Sequence, residues 1–228
     1  MAKNLYQEKL DLILTQLDGR QKPSLMLHAC CGPCSSYVLE YLSAFFEITV
    51  LYYNPNIFPK EEYARRLNEL KKFYTEFPPA LENKIKVIEL DYNPQEFYDA
   101  IKIKEQPSLA DEKEKGVRCY RCYKFRLQKT LEYALKYKSD YFCTTLSISP
   151  FKDAKMINEI GEEISKEYSQ KGIQIFWLPS DFKKKNGFKR SLELSEEYGL
   201  YRQKYCGCVY SKNQNENNNV SISRNNQI

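Results

Sequence analysis

SLMLHACCGPCSSY, residues 24–37, decides the fold. Its first six residues form a short apolar run without a charge, the pattern of a strand buried on both faces. The run ends on Cys30 and Cys31. From Cys34-Ser35-Ser36-Tyr37 the chain reads as a helix continuing through LEYLSAFF. A buried strand that stops at cysteines and turns into a helix is the opening of an α/β unit.

The rest of the chain repeats that alternation. EITVLYYNPN (47–56), KIKVIELDY (84–92), DYFCTTLSIS (140–149) and IQIFWLP (173–179) read as further strands. Helices are expected from Leu5 to Leu17 with Gly19 as a stop, from Pro59 to Phe77, from Tyr123 to Lys138 and from Asp153 to Gln170. Residues 94–117 are polar and less periodic. Short apolar strands alternating with helices predict a parallel sheet covered by helices on both faces and joined by right-handed crossovers. Ligands in such sheets sit beyond the carboxyl ends of the strands, where HACC, TTLSIS and WLPSDF all fall. Residues 1–210 read as one domain. From Ser211 the asparagine-rich stretch 211–228 reads as a disordered tail.

Composition narrows the function classes. A chain of 228 residues supports a full hydrophobic core, so it does not depend on disulfide staples. The longest apolar runs fall short of a membrane span and no secretory leader is read, so a cytoplasmic, non-membrane protein is expected. In a reducing compartment, clustered cysteines point to metal ligation or redox chemistry rather than structural bridges. The net charge of +5 permits RNA binding without demanding it. A single histidine, His28, excludes histidine-based zinc sites.

Seven of the eight cysteines form three groups: Cys30, Cys31 and Cys34; Cys119 and Cys122 as C-x-x-C; Cys206 and Cys208 as C-x-C. Thiols at a strand end and a helix start meet exposed amide N–H groups that favour thiolate, the form that ligates metal. Four thiolates suit either a closed zinc site or an iron–sulfur cluster. The C-x-C pair is either a strained, labile redox couple or a further pair of ligands. Cys143 in DYFCTT reads as a packed apolar thiol.

HACCGPCSSY, NPNIFPKEEYARRL, GVRCYRCYKFRL, YFCTTLSISPFKD and GLYRQKYCGCVYS, in that order over about residues 25–210, resemble the QueH-type epoxyqueuosine reductases. That family's fold is similar to PP-loop and nucleotide-hydrolase-like α/β domains, here with CCGPCSS in place of the phosphate-cradling loop. The resemblance implies reduction of epoxyqueuosine to queuosine at the wobble base of a tRNA anticodon, without cobalamin. It implies a 4Fe–4S cluster on Cys30, Cys31, Cys119 and Cys122, a second iron nearby, a redox pair at Cys206 and Cys208, and an electron donor as partner. Cys34 is either an alternative cluster ligand or a ligand of the second iron. The alternative without the resemblance is a zinc-stabilised RNA-binding or sulfur-transfer protein acting in tRNA modification.

Further candidates surround the cysteines. His28 shares the Cys30 face of a regular strand and is expected to meet a cluster sulfur or the substrate. Tyr120, Tyr201, Tyr205 and Asp181 are candidate proton donors. Arg118, Arg121, Arg126, Arg190 and Arg202, with the run Lys183 to Lys185, are candidate RNA contacts through phosphate or stacked bases. Lys152 and Asp153 are expected to line the pocket. The oligomeric state is not read from the sequence.

Overall fold

The computed structural model describes residues 5–17 and 21–214. Strands and helices alternate along the described residues. They run α1 (Leu5–Gln16), β1 (Ser24–Ala29), α2 (Gly32–Leu42), β2 (Glu47–Tyr52), α3 (Lys60–Tyr74), α4 (Pro78–Glu82) and β3 (Lys86–Glu89). Then come α5 (Pro94–Ile101), α6 (Val117–Lys136), β4 (Tyr141–Thr144), α7 (Ala154–Ser169), β5 (Phe176–Trp177) and α8 (Gly187–Glu197). Two 3₁₀ turns, Pro107–Ala110 and Thr145–Ile148, precede α6 and follow β4.

The five strands form one all-parallel sheet in the order β3-β2-β1-β4-β5. The chain winds outward from β1 to β3, then returns to the other side of β1 with β4. The order therefore reverses between β1 and β4, whose pairing ends at His28 opposite Thr144. A crevice opens at such a reversal because the connections on its two sides leave in opposite directions.

Alternation along β1 divides the core between the two faces. Leu25, Leu27 and Ala29 pack with the α1, α2 and α3 side, including Leu10, Leu39 and Leu70. Met26 and Cys30 pack with the α6 and α7 side, including Leu127, Leu131, Ile157 and Trp177. Each fully buried aliphatic side chain of this kind contributes roughly 1.5–3 kcal/mol of transfer free energy. This core holds the strand ends at fixed heights.

The architecture matches the expected α/β class, with differences in several elements. The segment 94–117 contains α5, capped by Asn93 through Gln95 N and anchored by Phe97 and Ile101. α6 starts at Val117, six residues before the expected Tyr123, so the C-x-x-C lies inside its first two turns. α2 begins at Gly32, so Cys34 is already helical. β5 is only two residues long. α8 was not expected from the sequence. Residues 209–214 are helical, and Ser211 is buried and donates to Glu114 Oε1 at 2.6 Å. The ordered chain thus runs past the expected start of the tail at Ser211. Residues 215–228 and Gly19 lie outside the described residues.

Candidate metal and redox site

β1 ends at Ala29 and the chain bends at Cys30, which removes the strand rule that would send neighbouring side chains to opposite faces. Cys30 and Cys31 consequently bring their Sγ atoms 3.7 Å apart. Cys34, in the first turn of α2, completes a triad whose three Sγ atoms all lie within 4.8 Å of one another. The hydrogen bonds donated by Cys31 and Cys34 hold the Cys30 thiol well below its ordinary value. Cys31 rises to about 12 and Cys34 is also pushed well up, both chiefly because they donate to Cys30. Gln203 Nε2 adds a donor to Cys31 Sγ at 3.1 Å. Three enclosed thiols at this spacing, one already biased to thiolate, suit a metal–sulfur group.

Cys119 and Cys122 stand on α6 outside that triad. Burial raises both thiols, Cys119 to about 11. Cys122 packs instead with Cys208, Phe97 and Ile101. The link between the two thiol groups is Arg126, one turn further along α6 and only 2% exposed. Its charge acts on Cys122, Cys30 and Cys206 alike. Its Nη2 donates to Asn54 Oδ1, and Asn54 in turn donates to the Ala29 carbonyl at 2.9 Å.

His28 is fully buried and faces Arg126 rather than a cysteine sulfur. Its Nδ1 lies 2.8 Å from Thr144 Oγ1, and its Nε2 is 3.1 Å from the Tyr53 carbonyl and 3.3 Å from Arg126 Nε. Desolvation, reinforced by Arg126, pushes the imidazole down to about 3, so the ring is neutral. The expected contact with substrate or a cluster sulfur is replaced by a buttress for Arg126.

Cys206 and Cys208 are both free thiols here. The loop that carries them is pinned by Phe58 N to the Gly207 carbonyl at 2.8 Å and by Arg66, which donates to the Cys206 and Tyr205 carbonyls. Gly207 has φ +122, a conformation open to glycine but not readily to other residues. Lys152 Nζ donates to Cys206 Sγ. The hydrogen bond from Cys208, and then Lys152, drive the Cys206 thiol well down, while the same bond drives Cys208 well up. Asp153 does not line the pocket: its carboxylate caps α7 through Met156 N at 3.1 Å and so fixes the loop carrying Lys152.

A pocket of about 180 Å³ joins these parts. Cys30 and Cys34 line it from one side, Lys152 and Cys206 from another, and Phe151 and Arg202 stand at its wall. Arg202 is held by Ser191 O and Ser195 Oγ at 3.1 and 2.9 Å.

The arginines expected at RNA are placed differently. Arg118 is 1% exposed and donates to the Leu109 and Ala110 carbonyls, and Arg126 is buried as described. Both are turned inward, away from phosphate. Arg121 donates to the Ile101 carbonyl at 2.9 Å, and Arg190 forms a fork with Glu40 at 2.7 and 3.0 Å. Among the proton-donor candidates, the Tyr201 hydroxyl faces Glu62 and Tyr205 donates to the Phe58 carbonyl at 2.5 Å. Burial raises Tyr201 and, to about 12, Tyr205. Tyr120 reaches toward Glu163 at 3.4 Å, and Asp181 pairs with Lys183 at 2.6 Å.

Arg66, Asn54, Gln203 and Thr145 also build the site, Thr145 Oγ1 lying 4.0 Å from Cys30 Sγ. All four lie inside the motif stretches that carry the resemblance, although none of them stands out there as a site residue. Arg66 alone had a local signal, its spacing from Glu62, to which it is bonded at 2.6 Å.

Comparison with known proteins adds an independent line. A family model described as epoxyqueuosine reductase QueH matches residues 25–214. A protein of that name from Streptococcus pyogenes serotype M1 is 45% identical over 83% of this chain and 71% of its own length. Namesakes from Staphylococcus aureus and Thermotoga maritima are 40% and 32% identical, over 88% of this chain and 82% and 96% of theirs. A solved U34-tRNA thiolase, NcsA from Methanococcus maripaludis, with its 4Fe-4S cluster, is 14% identical, with a TM-score of 0.47 over 97% of this chain and 72% of that one. That likeness is too weak to carry an argument. The family match, by contrast, spans all three cysteine groups from Cys30 to Cys208, and the chain belongs to the epoxyqueuosine reductase QueH family.

Proposed function

We propose that this protein reduces epoxyqueuosine in tRNA to queuosine, without cobalamin, using a metal–sulfur group and the Cys206–Cys208 dithiol. The observation that carries the reading is the shared pocket. Thiols more than 170 residues apart in sequence, Cys30 and Cys34 against Cys206, line one cavity at the reversal of strand order. Removing an epoxide oxygen to leave an alkene takes two electrons and two protons, so electron carriers and proton carriers must converge on one place.

Cys30, Cys31, Cys119 and Cys122 would hold a 4Fe–4S cluster, with Cys34, which lies in the triad with Cys30 and Cys31, as the alternative fourth ligand or the ligand of a second iron. Such a cluster would supply electrons one at a time, and an iron beside it would supply Lewis acidity toward the epoxide oxygen. The chain's own residues do the rest. Arg126 holds positive charge against the thiolates, and neutral His28 holds Arg126. Gln203 donates to Cys31 Sγ and orients it. Lys152 holds a proton beside Cys206 at the pocket wall. Phe151, 69% exposed at the same wall, offers an aromatic face on which an unstacked base can rest. Among the described residues no helix is long and apolar enough to cross a membrane.

The test is incubation of anaerobically purified, reduced protein with tRNA bearing epoxyqueuosine, followed by nucleoside mass spectrometry. The modified nucleoside should lose one oxygen. A metal-replete, reduced sample that leaves it unchanged rejects the reaction, and a colourless protein holding zinc instead of iron and sulfide rejects the cluster.

A further inference from the structure

Resting on the reading of the C-x-C as a redox dithiol, we propose that its two sulfurs have fixed and different jobs. Cys206, ion-paired with Lys152, is the sulfur that reacts at the pocket, and Cys208 is the partner that closes the disulfide.

Position supports the asymmetry first. Cys206 and Lys152 both line the pocket together with Cys30 and Cys34. Cys208 does not; it is 8% exposed and packs against Phe97, Ile101 and Cys122. Its Sγ also accepts from Ser211 N at 3.4 Å, which holds the sulfur in place behind the pocket-lining Ser211.

Charge supports it next. Lys152 is 7% exposed, and its ammonium donates to Cys206 Sγ. A buried ammonium is strongly destabilising without an opposite charge, so the pair holds Cys206 as the anion. The other ionisable groups around it are Arg126, Cys119, Cys122 and Tyr123 from α6, Glu114 from the loop before α6, and Cys208 from the same turn. Arg126 reinforces Lys152 at Cys206. Glu114 already accepts from Ser211 Oγ at 2.6 Å. The chemistry of these neighbours thus selects one anionic sulfur.

The stoichiometry closes on these groups. Oxidation of the pair forms one S–S bond and releases two electrons. Cys208 gives up its thiol proton and Lys152 its ammonium proton. Those two protons convert the departing epoxide oxygen to water, and the two electrons complete the carbon–carbon double bond. One epoxide, one thiolate–ammonium pair and one thiol become one alkene, one water, one disulfide and one amine.

The experiment is competitive alkylation of the anaerobically purified, reduced full-length protein with limiting iodoacetamide. Fragmentation mass spectrometry of the peptide carrying both cysteines then reads the order of labelling. Cys206 should be labelled first. Lys152→Met should slow Cys206 labelling near neutral pH by about tenfold, because the thiolate is the reactive form, whereas Lys152→Arg should keep the fast rate. Cys208 labelled first or equally, or a Cys206 rate unchanged in Lys152→Met, overturns the inference. If Lys152→Met loses its folded circular-dichroism spectrum, the order of labelling in the unsubstituted chain and in Lys152→Arg decides. The tRNA assay is separate: reversed labelling with full deoxygenation sinks only this inference, and ordered labelling without deoxygenation sinks only the reaction.

Discussion

Arg126 Nε lies 3.3 Å from His28 Nε2, so the chain's one imidazole and a buried guanidinium form a single unit beneath the thiols. The neutral ring can satisfy either Arg126 or the Tyr53 carbonyl at that nitrogen, and it cannot accept a proton there without meeting the arginine charge. Burial first, and then the Arg126 charge, push the folded imidazole down to about 3, below its ordinary value of 6.5.

A pH dependence follows, with a definite sign. Below pH 6.5 the unfolded chain binds a proton at His28 that the folded chain refuses, so stability falls with pH from 6.5 toward 3. Between pH 6.5 and 4.5 this one group should cost about 2 kcal/mol, since each unit of pKa difference is worth ~1.4 kcal/mol. Urea denaturation of the metal-free protein across that window should show the loss. His28→Gln should flatten the slope, whatever its effect on absolute stability. An unchanged slope would show that the acid sensitivity belongs to other groups.

Metal content should separate Cys34 from Cys143. Cys34 shares the 4.8 Å triad, so Cys34→Ser should lower iron and sulfide per chain and weaken the visible absorbance of the purified protein. Cys143 is fully buried on β4, with Thr144, Leu178 and Ser180 as the hydrogen-bond partners of its sulfur among the described residues. Cys143 is not among the three thiols that lie within 4.8 Å of one another. Cys143→Ser should retain full metal content. Equal losses in the two variants would contradict the division drawn between ligating and packing cysteines.

The contrast between those two cysteines marks how far the sequence could be read. Short apolar runs announced all five strands, and the cysteine spacing announced the site, because both signals are local. α5 was hidden because it is only eight residues long and buries just Phe97 and Ile101, too few apolar positions to stand out in a polar segment. α8 was hidden for a similar reason: it follows a lysine run, and of its apolar residues only Leu194 is fully buried while Leu192 is exposed. The polar frame of the site was less legible still. Asn54, Arg126 and Gln203 come from three separate elements, and nothing in their local sequence says that they meet around one set of thiols. Arg118 and Arg126 show the converse error, since basic residues beside a C-x-x-C look like surface charges until the fold turns them inward.

Gly207 should be intolerant of a side chain. Its φ of +122 is strained for any residue with a Cβ, and an added Cβ would lie 3.0 Å from Ile57 Cγ1 and 3.1 Å from Arg66 Nη1. Backbone strain of this kind costs on the order of 1–3 kcal/mol. Gly207→Ala should therefore lower the melting temperature modestly and loosen the turn that sets Cys206 against Lys152. The specific sign is a labelling order of Cys206 and Cys208 that becomes less selective than in the unsubstituted chain. Full selectivity in a destabilised variant would mean that the ion pair, not the turn, carries the order.

Arg66 ties the C-x-C turn to α3, and its removal should cost more than its exposed neighbour's. The side chain is 1% exposed, bonded to Glu62 Oε1 at 2.6 Å and to the carbonyls of Cys206 and Tyr205 at 3.4 and 3.5 Å. Glu62 is only 10% exposed, so Arg66→Met would leave a largely enclosed carboxylate with the Tyr201 hydroxyl but no opposite charge beside it. Losing one partner of a buried pair destabilises by roughly 3–5 kcal/mol. The double variant Arg66→Met with Glu62→Gln removes both charges and should recover part of that loss. Chemical denaturation of the two variants and the parent measures the recovery. No recovery would mean that the carbonyl contacts, rather than the charge pair, fix the turn to the helix.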